Sequence, residues 1–257
     1  MQRPKPVSES PSVVARAAAL LRALSGRTAS GASTTRVAEE AGLPRATAHR
    51  LLESLAAEGL VDRDARSGLW FLGPETYVLG MASAARYDLT EEARGSVLRL
   101  ARETGESAFF SVRRGDETVV LLREDGDFPI RSYVLHEGAR FPLGVASAGI
   151  AILAHLPGGQ AEDYLRRTDL VRRWGDAYTA VSLRERLAAT RAHGWALNPG
   201  LIVEGSWGMA AAVFDRAGVP GWALTLTGIE SRFRPDRQES LGRLLLEEAH
   251  RLTRSVR

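Results

Sequence analysis

Apolar positions fall into two textures along the chain. In the first, Val13, Ala17, Leu20, Leu21 and Leu24 share one helical face, with Ser12 able to cap the helix and Ser25-Gly26 to end it. Thr34 or Thr35 can cap a short helix over 36–41. Gly42-Leu43-Pro44 then supplies a stop, a buried apolar contact and a start, because proline fits a first turn whose N–H has no partner anyway. The next helix, about 45–58, buries Leu51, Leu52 and Leu55, and Gly59 is placed to end it. Leu60-Val61-Asp62-Arg63 and Leu69-Trp70-Phe71-Leu72, on either side of a polar turn containing Gly68, read as a β-hairpin. Helix, helix, tight turn, helix and two-stranded wing predict a winged helix-turn-helix over 12–73.

After Gly73-Pro74 the pattern changes. A linker helix is expected within 74–88, and a further helix from Asp88 or Thr90 to about Thr104. Strands are expected at 107–113, 118–123, 130–135, 209–214 and 222–227. Helices are expected at 147–156, 161–167 and 183–193, with an amphipathic helix at 235–254 closing the chain. That order makes 89–257 a mixed domain of sensor type and the whole chain α+β. The Pro-rich leader, 1–11, reads as disordered.

Composition narrows the field. The 257 residues, 44% hydrophobic and 25% charged, are globular values for one large domain or two ordinary ones. With no cysteine, disulfides, thiolate zinc sites and a Cys nucleophile are excluded. The first eleven residues lack the apolar stretch of a secretory signal. The longest apolar run, about 143–154, is short of the roughly 18 residues of a membrane span. A soluble cytoplasmic protein with no membrane partner is therefore expected. Residues 1–73 carry ten basic and seven acidic groups while the rest balance, so the net charge of +3 lies entirely in the N-terminal quarter. A polyanion is the partner this suggests.

In a helix-turn-helix the second helix enters the major groove. With its leucines inward, Arg45, Ala46, His49 and Arg50 face outward. Arg45 suits bidentate reading of guanine and His49 a base edge. Thr47 and Arg50 suit phosphates, as do the helix N–H groups near Thr34 and Thr35. Arg63 and Arg66 sit on the wing, within reach of backbone or minor groove. A three-helix domain that binds protein or supports dimerisation is the competing reading.

Catalytic chemistry finds little support. Ser147, in Gly144-Val145-Ala146-Ser147-Ala148-Gly149, has one residue too many for a nucleophile elbow, and Ser206 in Gly205-Ser206-Trp207-Gly208 has one too few. The five histidines form no metal-binding spacing, and neither a P-loop nor a dinucleotide fingerprint occurs. No catalytic residue, metal or cofactor is expected. A ligand-binding dimeric enzyme, or a scaffold that keeps the fold without binding DNA, is the alternative.

The chain resembles the IclR (isocitrate lyase regulator) type of transcription factor. Matching residues are Arg16-Ala17, Glu39-x-x-Gly42-Leu43-Pro44, Thr47-Ala48-x-Arg50-Leu51-Leu52, Leu55, Gly59-Leu60-Val61 and Leu72-Gly73. A second group, in the same order as in the family, is Gly138-Ala139-Arg140-Phe141-Pro142-Leu143, Ala146-x-Ala148-Gly149-x-Ala151-x-Leu153-Ala154, Gly194-Trp195-Ala196 and Glu204-Gly205-x-x-x-Met209-Ala210-Ala211.

The resemblance implies a winged-helix domain, a linker helix and a GAF-like effector-binding domain, in homodimers or homotetramers on pseudo-palindromic double-stranded operators. It implies a bacterial regulator, repressor or activator, that a small organic acid or aromatic metabolite controls. By position, backbone N–H groups near Ala146, Ser147 and Ala148 would hold a carboxylate. Asn198 would contact the effector, and Trp207, Gly208 and Met209 would line its pocket. Asn198-Pro199-Gly200 also reads as a plain turn. Ile150 stands where the family commonly has a basic residue, and Asn198 where an acidic one would bond differently, so a neutral or hydrophobic effector is admitted. The linker helix is the expected route from effector to DNA, with Leu79 the position at which to test it.

Overall fold

The computed structural model describes residues 11–27, 30–84, 89–131 and 134–256. The chain divides into two compact units, Met1–Tyr87 and Asp88–Arg257. All of the expected leader but Pro11 lies outside the described residues, as does the end of the expected linker helix at 85–88.

The N-terminal unit opens with α1 (Val13–Ser25), where Ser12 Oγ accepts the Ala15 N–H at 3.1 Å. In α2 (Thr34–Ala41) the cap is Ser33, which accepts the Arg36 N–H, rather than Thr34 or Thr35. The helix begins two residues earlier than the apolar pattern suggested, so both threonines fall inside its first turn. Gly42, at φ 64°, ends α2 in the left-handed region, and the Leu43 N–H closes back on the Ala38 carbonyl at 2.9 Å. Pro44 precedes α3 (Arg45–Ala57), which buries Ala48, Leu52 and Leu55; Leu51 is only half-buried. Strands β1 (Val61–Arg63) and β2 (Trp70–Leu72) pair antiparallel with Asp62 opposite Phe71. Asp64 Oδ1 holds their turn by accepting the N–H groups of Arg66 and Ser67 and the Ser67 hydroxyl. Ala32 adds a bridge to Trp70, each accepting the other's N–H at 3.0 and 2.9 Å. Trp70 is fully buried in the cluster with Leu20, Leu24, Val37 and Leu52. Helix α4 (Pro74–Ala84) follows, with Tyr77, Val78, Leu79 and Met81 all more than half exposed.

The C-terminal unit runs α5 (Leu89–Thr104), β3 (Ser107–Arg114), β4 (Glu117–Glu124), β5 (Arg140–Pro142), α6 (Ser147–Ala154), α7 (Gln160–Arg167), α8 (Val171–Trp174), α9 (Ala180–His193), β6 (Ala196–Pro199), β7 (Ser206–Phe214), β8 (Pro220–Ile229) and α10 (Pro235–Ser255). Its six strands form one antiparallel sheet in the order β5-β4-β3-β8-β7-β6. Period-2 alternation splits the strands between two hydrophobic layers. Met209, Ala211, Val213, Leu224 and Leu226 pack with α5 and α10; Ala210, Ala212 and Ala223 pack with α6, α7 and α9.

The strand expected at 130–135 is not formed at its described positions, 130, 131, 134 and 135; positions 132 and 133 lie outside the described residues. Arg140–Pro142 takes the edge instead, pairing Phe141 with Thr118. Proline lacks a ladder donor, which an edge strand tolerates, and both edges here, β5 and β6, contain one. The closing salt bridges include Glu106, buried at the start of β3, between Arg232 and Arg237 at 2.7 and 2.6 Å.

Candidate functional site

The first turn of α3 is open. Pro44 offers it no side-chain cap, and Arg45, Ala46, His49 and Arg50 are exposed while Ala48 and Leu52 anchor the opposite face. Thr47 is half-buried. Neither Arg45 nor Arg50 has a carboxylate partner among the described residues, so both guanidinium groups keep their five donors for an outside acceptor.

Two of the expected DNA contacts are already engaged with their surroundings. His49 Nδ1 and Arg63 Nη1 each lie 3.7 Å from Glu53 Oε1, and the Arg63 guanidinium stands 5.3 Å from the Trp70 ring centre. His49 meets the same indole edge-on at 6.4 Å. Glu53 was not foreseen, although its i+4 spacing from His49 was visible. Arg66 is exposed at the wing turn, its backbone N–H on Asp64. Thr34 departs from expectation. Its hydroxyl accepts the Trp70 indole N–H at 2.9 Å, tying α2 to the wing, whereas Thr35 is exposed.

The second cluster lies at the start of α6. Its cap residue, Ala146, has no side-chain donor or acceptor, and all eight helix residues are buried. The first N–H groups of such a helix have no intrahelical acceptor and carry the positive end of its dipole. They adjoin a small cavity of about 20 Å³ bordered by Ala146, Ser147, Asn198, Trp207 and Gly208 together with Val134, Leu135, Ile202, Ser206 and Thr227. Five of the seven expected effector-binding residues are thus gathered in one place.

The other two are not. Ala148 is buried within the α6 layer, and Met209 belongs to the opposite layer with α5 and α10. Strand alternation is the reason: Gly208 faces α6, so Met209 must face away. Trp207 borders the cavity but packs against the α5 and α10 layer. Gly208 keeps the space clear, since a Cβ there would come within 3.1 Å of Ser147 Oγ and 3.7 Å of Thr227 Cγ2.

Asn198 is buried in β6, opposite Gly208, and its amide is used at both ends. Nδ2 donates to the Val145 carbonyl at 2.8 Å, and Oδ1 accepts the Leu201 N–H at 3.0 Å. It is both a turn residue and a clamp between β6 and the segment leading into α6. Thr225 and Thr227, on the α6 side of β8, have buried hydroxyls without hydrogen-bond partners. Sequence reading passed over them; their alternation with Leu224 and Leu226 was the available signal.

Among the described residues no group of three or more His, Asp or Glu is placed to hold a metal ion, and no helix is long and apolar enough to cross a membrane.

Comparison with known proteins bears on both parts of the chain. Residues 13–65 match the family model described as the IclR helix-turn-helix domain. Residues 81–254 match the one described as the bacterial transcriptional regulator IclR C-terminal domain. The glycerol operon regulatory protein of Streptomyces griseus is 34% identical over 226 residues, 86% of each chain. An IclR transcriptional regulator from Alicyclobacillus acidocaldarius superposes with a TM-score of 0.77 at 24% identity, covering 95% of this chain and 98% of that one. An IclR homologue from Microbacterium hydrocarbonoxydans, solved in complex with 4-hydroxybenzoate, gives 0.75 at 23% identity with the same coverage.

Proposed function

The chain belongs to the IclR family of bacterial transcriptional regulators, DNA-binding proteins with a C-terminal effector-binding domain, and from that premise we propose how its own residues divide the work. Arg45 reads a base edge from the open first turn of α3, with Ala46 and His49 beside it. Thr47, Arg50, Arg66 and the α2 start near Thr35 hold phosphates, and Arg63 follows if Glu53 releases it. The observation that carries this reading is the exposed, carboxylate-free pair Arg45 and Arg50 on a helix rooted by Ala48 and Leu52. The DNA-binding domain is 12–73 and the linker helix 74–88, leaving 89–257 for effector recognition.

The exposed apolar side chains of α4, Tyr77, Val78, Leu79 and Met81, support pairing with a second copy of the chain. A homodimer would set two α3 helices ~34 Å apart on a pseudo-palindrome. The effector is a small monocarboxylate with an apolar body. Its anionic end meets the N–H groups at the start of α6, the Ser147 hydroxyl and the orphaned Thr227 hydroxyl, while Val134, Leu135 and Ile202 enclose the rest. The 4-hydroxybenzoate of the Microbacterium homologue is of that class. A space of about 20 Å³ holds one water, so a metabolite needs the surrounding loops to move outward. Only a ligand that prefers one arrangement over the other can shift DNA binding.

Footprinting on the upstream intergenic DNA at two salt concentrations tests the reading. A protected pseudo-palindrome, weakened by salt and released by an aromatic or aliphatic monocarboxylate, is expected. Absence of protection, with and without metabolite extracts, would overturn it. Sedimentation of Leu79→Glu tests the pairing surface, with a shift to monomer expected.

A further inference from the structure

A second cavity, of about 370 Å³, lies on the other side of β6, between the later turns of α9, Trp195 and the start of α10. That is the size range of small-molecule sites. Strand alternation sets the two spaces back to back: Asn198 faces the α6 cavity, while Leu197 and Pro199 face the larger one.

Its walls are mostly apolar, from Ala189, Leu197, Pro199 and Pro235. Trp195 forms a firmly seated part of the wall, held between its neighbours. Its ring stacks on His193 at 5.1 Å and 24°, and it lies so close to α10 that a Cβ on Gly242 would fall 2.3 Å from the indole nitrogen.

Into this setting the fold brings a cation. Arg186 lines the cavity with its guanidinium fixed from three sides. Nε donates to the Ser182 carbonyl at 3.2 Å, Nη2 donates to the Ala177 carbonyl, and the group stands 5.0 Å from the Tyr178 ring centre. Nη1 is buried with no hydrogen-bond partner, and no carboxylate among the described residues pairs with this arginine. Burial lowers its pKa from the ordinary guanidinium value, as expected of a cation without a counter-charge. With Nε and Nη2 already bonded to backbone carbonyls and Nη1 buried, an anion entering the cavity would meet this arginine through its uncompensated charge and the second Nη2 N–H rather than through a two-donor fork.

We propose that this cavity is a second small-molecule site, selective for an aromatic monocarboxylate whose charged end is received by Arg186 and whose ring lies against Trp195 and Leu197. Glu239 on the α10 side disfavours a second negative charge, which sets a monoacid apart from a diacid. Gln238 donates to the Phe233 carbonyl at 2.6 Å, leaving its own oxygen for a donor on the far end of the ligand. The site stands independently of any effector at α6.

Calorimetric titration of the full chain with 2-naphthoate tests it. Binding to the unaltered chain is expected, weakened at least about tenfold by Arg186→Gln, the effect of losing a charge-assisted hydrogen bond. Because Arg186 also ties down two carbonyls, Ala189→Phe is the second variant; Ala189 is exposed on α9, and the larger side chain would fill the cavity while leaving Arg186 in place. It should weaken binding comparably, and Gly208→Val, which fills the α6 cavity, should not. No binding to the Gly208→Val chain, whose α6 cavity is filled, or binding to that chain that survives both α9 changes, would overturn the proposal.

Discussion

Helices α3 and α6 begin alike and end in opposite surroundings. Neither has a side-chain cap, Pro44 standing before one and Ala146 before the other, whereas Ser12, Ser33 and Thr179 cap α1, α2 and α9. The first two turns of α3 meet solvent with two arginines that have no carboxylate partner among the described residues; the first turn of α6 is enclosed among apolar side chains and neutral hydroxyls. An uncapped helix start favours an anion in either case. Exposure and free cations suit it to a polymer, while enclosure limits it to something the size of a metabolite. On the proposed reading, the same backbone feature takes its ligand class from its surroundings.

That contrast is most easily broken at the level of folding. Ile150→Ala in the first turn of α6 removes fully buried volume and should destabilise the C-terminal unit by ~2–5 kcal/mol in urea denaturation. Arg45→Ala, at the matching end of α3, should change stability by less than about 0.5 kcal/mol. A comparable loss from both would mean that α3 is not a free surface. In DNA binding the order reverses. Arg45→Ala should weaken operator binding by ~1–3 kcal/mol and relax one base position; a uniform loss over all sequences would move Arg45 among the phosphate contacts.

Enclosure on the α6 side should also show in alkali. The buried Tyr164 hydroxyl donates to the Leu143 carbonyl at 2.5 Å, and its pKa is pushed up to about 12 by burial, with the Asp116 charge adding to it. The folded state holds the proton more tightly than the unfolded chain, whose tyrosine titrates near 10. This contribution to stability is therefore complete below about pH 10 and lost as the pH rises to about 12. Tyr164→Phe should flatten the stability profile over that interval, and an unchanged profile would exclude Tyr164 as its source. The smallest effect is reserved for the wing: Arg66→Ala should weaken all duplexes alike and reduce the salt slope by about one.

Much of the N-terminal unit was legible because its signals are local. Ser12, Gly42-Leu43-Pro44 and the spacing of Leu52 and Leu55 each act within a turn or two of the chain. The failures are of long range. The residues at 130–135 have strand-like composition, yet the edge of the sheet went to Arg140–Pro142, a choice made by pairing with β4. Asn198 suggested either a ligand contact or a turn, and only the fold brings the Val145 carbonyl to 2.8 Å from its amide. Met209 lay within the resembling motif but on the wrong side of its strand. Arg186 looked like any arginine on a helix until Tyr178 and the Ala177 carbonyl closed around it.

Trp70 has a consequence in time as well as in space. A wing of two three-residue strands is too short to persist by itself. Its indole is sunk in the three-helix cluster, its N–H is bound to Thr34, and its backbone is zipped to Ala32. The wing therefore has no private route to opening. Amide hydrogens at Ala32 and Trp70 should exchange at the pace of the whole N-terminal unit, not of a fraying hairpin. DNA would meet wing and recognition helix as a single rigid die, cast before the encounter.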